Sequence, residues 1–217
     1  MKSKQSSQTE KTALVPEINI QQVKITLIGD SSLISHKWSE KARKQMLDKQ
    51  MKVAKSAKVA RDPERDFLDS LYVLDGQSLE NRSDVKKARF GFPTIAFKSA
   101  AVCASLQTDG GKKTTSRAAF HINGDLVEIK GCLPEPREDM VKVGMGTADL
   151  RYRGEFKNWH ADVVVRYNAD VMSKEQICNL FTLAGFGIGV GEWRPQKNGS
   201  YGMFHVANEA EVKALGV

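Results

Sequence analysis

The stretch Gly185–Phe204, GFGIGVGEWRPQKNGSYGMF, places six glycines in twenty residues beside Trp193, Arg194, Lys197 and Tyr201. Glycine at that density marks tight turns or places where another group must come close to the backbone. What flanks the stretch sets the fold. Upstream, Ser173 with Gln176 three residues on is a capping box, which predicts a helix over Lys174–Ala184 with Gly185 as its left-handed C-cap. Downstream, YGMFHV reads as a strand and residues 209–215 as a short terminal helix. The loop therefore runs from helix into strand. A dinucleotide fingerprint runs from strand into helix, and the sequence holds no G-x-x-x-x-G-K-[ST], so neither nucleotide motif applies. A plain connection would need no rings or cations. Here Trp193 and Tyr201 offer stacking faces for bases, Arg194 and Lys197 offer phosphate contacts, and the backbone N–H groups at Gly189 and Gly191 can face an anion.

Moving outward, Gln21–Gly29 alternates and is β-branched, which predicts the first strand. A long helix is expected over Lys37–Arg61, ended by Asp62-Pro63. On its wheel Trp38, Ala42, Met46, Val53, Ala57 and Ala60 share one face, while Lys37, Lys41, Lys44, Lys52 and Lys55 share another. Nine basic residues stand against two acidic ones over that span. GFPTIAFKSAAVCASL predicts a second helix, Ile95–Leu106, with Thr94 as N-cap. TDGGKKTTS is expected as a flexible basic loop. AAFHI-NG-DLVEI reads as a hairpin on an Asn123-Gly124 turn. GCLPEPREDMVKVGMGTADL reads as a long loop, and LRYRGEF with WHADVVVRYN as a second strand pair turning at Lys157-Asn158. Without insertions the order is strand, helix, two or more strands, helix, strand. This is an α+β, ferredoxin-like βαββαβ plan over residues 21–206, with a helical thumb inserted over about 31–90 and a C-terminal helix or tail at 207–217.

The chain of 217 residues carries a net charge of +7, which favours an anionic partner, nucleic acid first. Cys103, Cys132 and Cys178 are far apart and odd in number, so neither a disulfide framework nor a thiolate zinc site is indicated, and a cytoplasmic setting fits. No apolar run is long enough to span a membrane, and residues 1–20 are expected as a disordered tail without an apolar signal core. Asp30, Asp139 and Asp149 are isolated and lack metal-ligand spacing, so no metal or cofactor is expected.

Two resemblances follow from these stretches. GIGVGEWRPQKNGSYGMFHV is similar to the glycine-rich loop between the last helix and last strand of the RAMP superfamily of CRISPR proteins, with Arg194 and Lys197 in its basic slots. GFPTIAFKSAAVCAS resembles the entry to the first core helix in that superfamily, with Lys98 at the basic position. LIGDSSLISHKW, GFPTIAFKSA, GTADLRYR, RYN and GVGEWRP together also look like a group of bacteriophage proteins, over almost all of Lys24–Val206. The RAMP resemblance implies an RRM-like core, binding of single-stranded RNA along a basic groove, and head-to-tail stacking of subunits under an extended thumb. Single-stranded DNA is the alternative ligand in a phage, where strand protection or annealing needs the same surface.

The expected protein is thus a non-catalytic single-stranded nucleic-acid binder, RNA ahead of DNA, forming a homo-oligomer or filament in the cytoplasm of a bacterial host. Lys37, Lys41, Lys44, Lys52 and Lys55 would track phosphates, and Lys98, at the basic position of the RAMP-like helix entry, would also bind nucleic acid. Arg194 and Lys197 would clamp the backbone, and Trp193 or Tyr201 would stack. Arg151 and Arg153 share one strand face and would reach either phosphate or solvent; Arg166 and Tyr167 carry the same ambiguity. One alternative is an endoribonuclease of the guide-processing kind using His36 with Lys37 beside it. Another is a module that docks its basic helix on an acidic host protein. His121, His160 and His205 alternate with apolar residues on strands and read as structural or groove-lining.

Overall fold

The computed structural model describes residues 17–53, 60–144 and 146–216, so positions 1–16 of the tail expected at 1–20 and Lys55 lie outside the described residues, and the end of that span, Ile20, already belongs to the first strand. In chain order the elements are β1 (Ile20–Gly29), β2 (Leu33–Ser35), α1 (Glu40–Gln50), α2 (Pro63–Asp69), β3 (Tyr72–Val73), β4 (Phe90–Pro93), α3 (Thr94–Ala104) and α4 (Lys113–Ala119). There follow β5 (Phe120–Ile122), β6 (Leu126–Lys130), β7 (Glu135–Val143), β8 (Thr147–Phe156), β9 (His160–Asn168), α5 (Lys174–Gly187), β10 (Phe204–Val206) and α6 (Glu209–Leu215). The class is α+β, with antiparallel pairing throughout both sheets.

Alternation along β1 and β9 builds the main core. Val23, Ile25 and Leu27 of β1, with Ala161, Val163, Val165 and Tyr167 of β9, are buried on one face. The two strands pair from Ile20↔Asn168 to Ile28↔His160. The large sheet runs β10-β1-β9-β6-β4-β3, with β5 also on β9. α3 and α5 cover the buried face. Phe97 of α3 meets Phe92, Trp159 and Phe204 at ring separations of 5.9–6.4 Å, and Phe181 of α5 meets Phe120 at 6.0 Å. These are edge-on or tilted contacts, the arrangement that aromatic quadrupoles favour. The capping box at Ser173 and Gln176 is present and starts α5. Its left-handed residue is Gly189 (φ 68), four residues beyond the expected Gly185, which instead lies inside the helix against Phe204.

Several local expectations are overturned. AAFHI-NG-DLVEI is no hairpin. β5 and β6 do not pair with each other; both run antiparallel to β9, His121 opposite Arg166 and Ile129 opposite Ala161. Asn123–Asp125 is a bulge between them, held because Thr94 Oγ1 donates to the Gly124 and Asp125 carbonyls. Thr94 is accordingly the first residue of α3 and not its cap. Lys113–Ala119, expected as loop, is α4. The long loop around PEPREDMVKV contains β7, which pairs with β8 over Glu135↔Glu155 to Val143↔Thr147. β8 therefore leaves WHADVVVRYN to β1 and forms a second sheet, β2-β8-β7. The second sheet draws on chain from both 33–35 and 135–156, so it is not confined to the insertion expected at 31–90.

The long basic helix is also shorter than expected. Ser39 caps α1 by accepting from the Ala42 N–H at 3.2 Å, and the helix stops at Gln50 because Lys52 turns left-handed (φ 56). α1 buries none of its side chains. No helix among the described residues is long and apolar enough to cross a membrane.

The C-terminal α6 is tied back by one imidazole. His205 of β10 points Nδ1 at Asp30 Oδ1, 2.6 Å away, and Nε2 at Glu211 Oε1, 3.3 Å away. Both nitrogens can donate only in the imidazolium form. Partial burial opposes that charge, but Asp30 and then Glu211 outweigh it and raise the pKa above the ordinary histidine value. A raised folded pKa means the contribution to stability is complete below about pH 6.5 and is lost as pH rises through the folded value. The thermal midpoint of the wild type is thus expected to exceed that of His205→Gln near pH 6, with the gap closing above pH 7. A gap that widens with pH would overturn the assignment.

Candidate nucleic-acid interface

The glycine loop lies on the edge strand of the second sheet. Gly191 (φ 80) sits so close to β2 that a Cβ there would meet the Ile34 carbonyl oxygen at 2.6 Å. Gly202 (φ 65) is pressed against the Val190 carbonyl in the same way. Left-handed backbone and absent side chain are both required at these two positions. Backbone bonds then seal the loop: Glu192 N–H to Ile34, Gly202 N–H to Ser32, Val190 N–H to Gly202 and Tyr201 N–H to Trp193, all at 2.8–3.1 Å. The N–H groups of Gly189, Gly199 and Gly202 are committed to the Ala184, Arg194 and Ser32 carbonyls, so Gly189 does not face an anion as expected.

The loop's polar side chains are mostly committed too. Arg194 donates to the Gly191 carbonyl at 2.9 Å and forks onto Gln196 Oε1. Arg137 of β7 lies 4.5 Å from the Tyr201 ring centroid, so a cation already covers one ring face. Trp193 adopts a positive φ of 53° and keeps 38% of its surface exposed. Lys197, in a short 3-10 turn, is exposed.

Beneath the loop is a buried charge network. Arg153, 5% exposed, donates to Asp139 Oδ2 at 3.0 Å and reaches Glu192 at 3.9 Å. Asp139 also takes Arg137, which contacts Glu155 in turn. Arg153 is therefore not a phosphate ligand: its guanidinium faces the interior. Arg151, on the same strand, is half-exposed and pairs with Asp149 at 2.8 Å. Glu192 reaches outward to His36 Nδ1 at 3.5 Å. That contact, then the charge on Arg153, overcomes burial and holds its carboxyl down at about 2.

His36 joins the loop to the foot of α1. Ser35 Oγ and the Lys37 N–H both donate to the Ser70 carbonyl, and the Gly154 N–H donates to Ser70 Oγ, all at 2.8–2.9 Å. These bonds fix the chain entering α1 against α2 and β8. Between α1, α2 and β8 opens a cleft of about 560 Å³. His36, Lys37, Trp38 and Lys41 line one wall; Arg61, Asp149, Arg151 and Tyr152 line the other. The far wall is charge-paired, with Arg61 on Asp66 and Asp149 and 5.9 Å from the Tyr152 ring. The lysines of the near wall are not. Among the described residues the lysines that hold ion pairs are Lys24, Lys130 and Lys157, whereas Lys37, Lys41 and Lys44 hold none. Trp38, 59% exposed, borders both the cleft and an outer hollow shared with Lys44, Met46 and Leu47.

The structure thus brings Lys37, Lys41 and Lys44 together, with Trp38 among them. Lys52 follows beyond the helix end. Trp193, Arg194, Lys197 and Tyr201 do not line the cleft, and Lys98 contacts His121 on another part of the molecule. Trp38 was hidden in the sequence by its apolar-face periodicity. The available signal was its place between Lys37 and Lys41, ahead of the capping serine. Among the described residues no group of acidic, histidine and cysteine side chains could hold a metal ion. The chain matches none of the known family models and none of the curated proteins with which it was compared.

Removing one member of a buried ion network strands the others. Asp139→Ala is expected to lower unfolding free energy by about 3–5 kcal/mol in urea denaturation. The double variant Asp139→Leu with Arg153→Met should recover much of that loss. A single variant as stable as the wild type would show that the pair is not buried as described.

Proposed function

We propose that this protein binds single-stranded nucleic acid, RNA ahead of DNA, along the cleft between α1 and β8, and does not cut it. The observation that carries the reading is Trp38: an exposed ring just ahead of α1, a helix that buries nothing, among three lysines without acidic partners. A helix so exposed gains little from packing of its own and is suited to a partner. Lys37, Lys41 and Lys44 supply phosphate contacts and Trp38 the stacking face; Trp193, still partly exposed, is a secondary one. The strand order β10-β1-β9-β5/β6, with α3 and α5 as crossovers on one face, supports a ferredoxin-like βαββαβ core of the RAMP kind, and the preference for RNA follows from that likeness. Aromatics on the strands of this core are buried: Phe90, Phe92, Phe120, Tyr167 and Phe204 all face the interior. Stacking is therefore assigned to the α1 side of the molecule and not to the sheet. Head-to-tail assembly along the strand, in a phage-infected cell, completes the proposal. The exposed cross-strand pair Met140 and Leu150 on the β7–β8 hairpin is a surface on which neighbours can meet.

Fluorescence anisotropy with a labelled uridine 20-mer across a salt series tests this reading. Lys41→Ala and Lys44→Ala should each reduce the salt slope by about one. Trp38→Ala should weaken binding by about 1–3 kcal/mol. Unchanged slopes in both lysine variants would refute the cleft as the binding surface.

One observation favours a second reading, RNA cleavage. His36 is held at Nδ1 by a carboxylate that stays ionised, the arrangement that orients a general acid or base, and Lys37 is adjacent. In this reading, end-labelled RNA incubated with excess protein is cut by the wild type and left intact by His36→Ala. Intact RNA with the wild type excludes it.

A further inference from the structure

A second cluster of cations lies at the other end of the large sheet. Lys98 of α3 places Nζ 2.9 Å from His121 Nδ1 on β5. His121 is the register partner of Arg166 on β9. Arg117, on α4 just before β5, is near enough for its charge to act on Lys98: partial burial first, and that positive charge second, hold the ammonium below its ordinary pKa. Arg117, His121 and Arg166 are all exposed. Among the described residues the arginines that hold ion pairs are Arg61, Arg65, Arg89, Arg137, Arg151 and Arg153, so Arg117 and Arg166 have no acidic partner, and Lys98 has none either.

The contrast with the middle of the same sheet is informative. There Lys24 and Lys130 both sit 3.1 Å from Asp162 Oδ2, and Thr26 Oγ1 donates to the other carboxylate oxygen at 2.8 Å. The centre is neutralised from within while the corner is left positive. Gln22 opposes Arg166 on β1, and the α1 cleft begins beyond Gly29. Seven residues of strand put the corner about 23 Å from that end of β1. The corner is a separate, discrete locus and not a continuation of the cleft.

We propose that Lys98, Arg117, His121 and Arg166 form a binding site for a phosphate monoester. Three cationic side chains, gathered without a carboxylate, match a dianion better than the single charge of a phosphodiester. The Lys98 contact also sets the tautomer of His121. An ammonium can only donate, so Nδ1 accepts and the proton sits on Nε2, leaving an N–H donor at an exposed position of the cluster. Two guanidinium forks, one ammonium and one imidazole N–H are then available at this corner for an oxyanion. The monoester is either the terminal phosphate of a nucleic-acid strand or a small phosphorylated molecule. The first source rests on the function proposed above; the site itself does not.

The test is a titration of the full chain with inorganic phosphate, followed by the imidazole signals of its histidines, against sodium chloride at matched ionic strength. His121 should shift and saturate with phosphate but not with chloride. Arg166→Gln and Arg117→Gln should each weaken phosphate binding roughly tenfold, the scale of a lost charge-assisted hydrogen bond, and Lys142→Ala, at an exposed position of β7, should leave it unchanged. Identical shifts in chloride, or full affinity in both arginine variants, would overturn the site. Oligonucleotides with and without a 5′-phosphate distinguish the source. A preference for the phosphorylated end that disappears in Arg166→Gln assigns the site to a strand terminus. Equal binding of both, with phosphate still saturating His121, assigns it to a small phosphorylated ligand. Loss of the Lys41 and Lys44 effects on strand binding would remove the cleft proposal while leaving the phosphate titration intact.

Discussion

The close approach of Gly191 to the Ile34 backbone holds the two halves of this protein in register. No residue with a Cβ could occupy that place without moving β2, and the positive φ adds a second reason for glycine. From that contact the rest follows. The Glu192 N–H reaches the Ile34 carbonyl, its carboxylate reaches His36, and Arg153 and Asp139 are closed in beneath. Lys37 and Trp38 then leave β2 along a direction set by the Ser70 hydrogen bonds. The glycine loop positions the candidate site without supplying its ligands.

Charge in this chain separates into three regimes that net charge cannot reveal. Arg153 and Asp139 are buried and paired, with Arg153 Nε left without a hydrogen-bond partner. Arg61, Asp66, Asp149 and Arg151 form a half-exposed chain of pairs whose net effect on a ligand is small. Lys37, Lys41 and Lys44 on one side, and Arg117 and Arg166 on the other, have no carboxylate among the described residues. Cations of this last kind, unlike the paired ones, retain a field that attracts an anion. Two separate surfaces of that kind fit a protein that engages an extended polyanion at one and a compact phosphate at the other.

Much of the core was legible in the sequence. Alternation identified β1 and the β9 stretch, the Ser173–Gln176 box located α5, and GFPTIAF announced α3. Those signals are local, arising from periodicity and capping within a few residues. The failures have a common cause. Asn123-Gly124 has the chemistry of a hairpin turn, but Thr94 at the start of α3 captures the carbonyls beside it and β9 takes both flanking strands. PEPREDMVKV lacks strand alternation because its inner positions carry Arg137 and Asp139 as a pair instead of apolar residues. In the basic segment, wheel periodicity continued past Gln50, yet α1 has no packing partner to extend it and Lys52 ends it.

For the candidate site, the sequence by itself determined that a cationic segment, a ring-bearing glycine loop and an α+β core coexist in one chain. Composition and short-range pattern suffice for that. Only the tertiary structure decided which cations remain available. Arg153 finds Asp139 14 residues away and Glu192 39 residues away, and Tyr201 finds Arg137 across 64 residues. Such pairings depend on how strands are brought together, and no spacing along the chain encodes them. The same long-range placement left Trp38, on the apolar face of its wheel, as an exposed ring and set Lys98 beside His121.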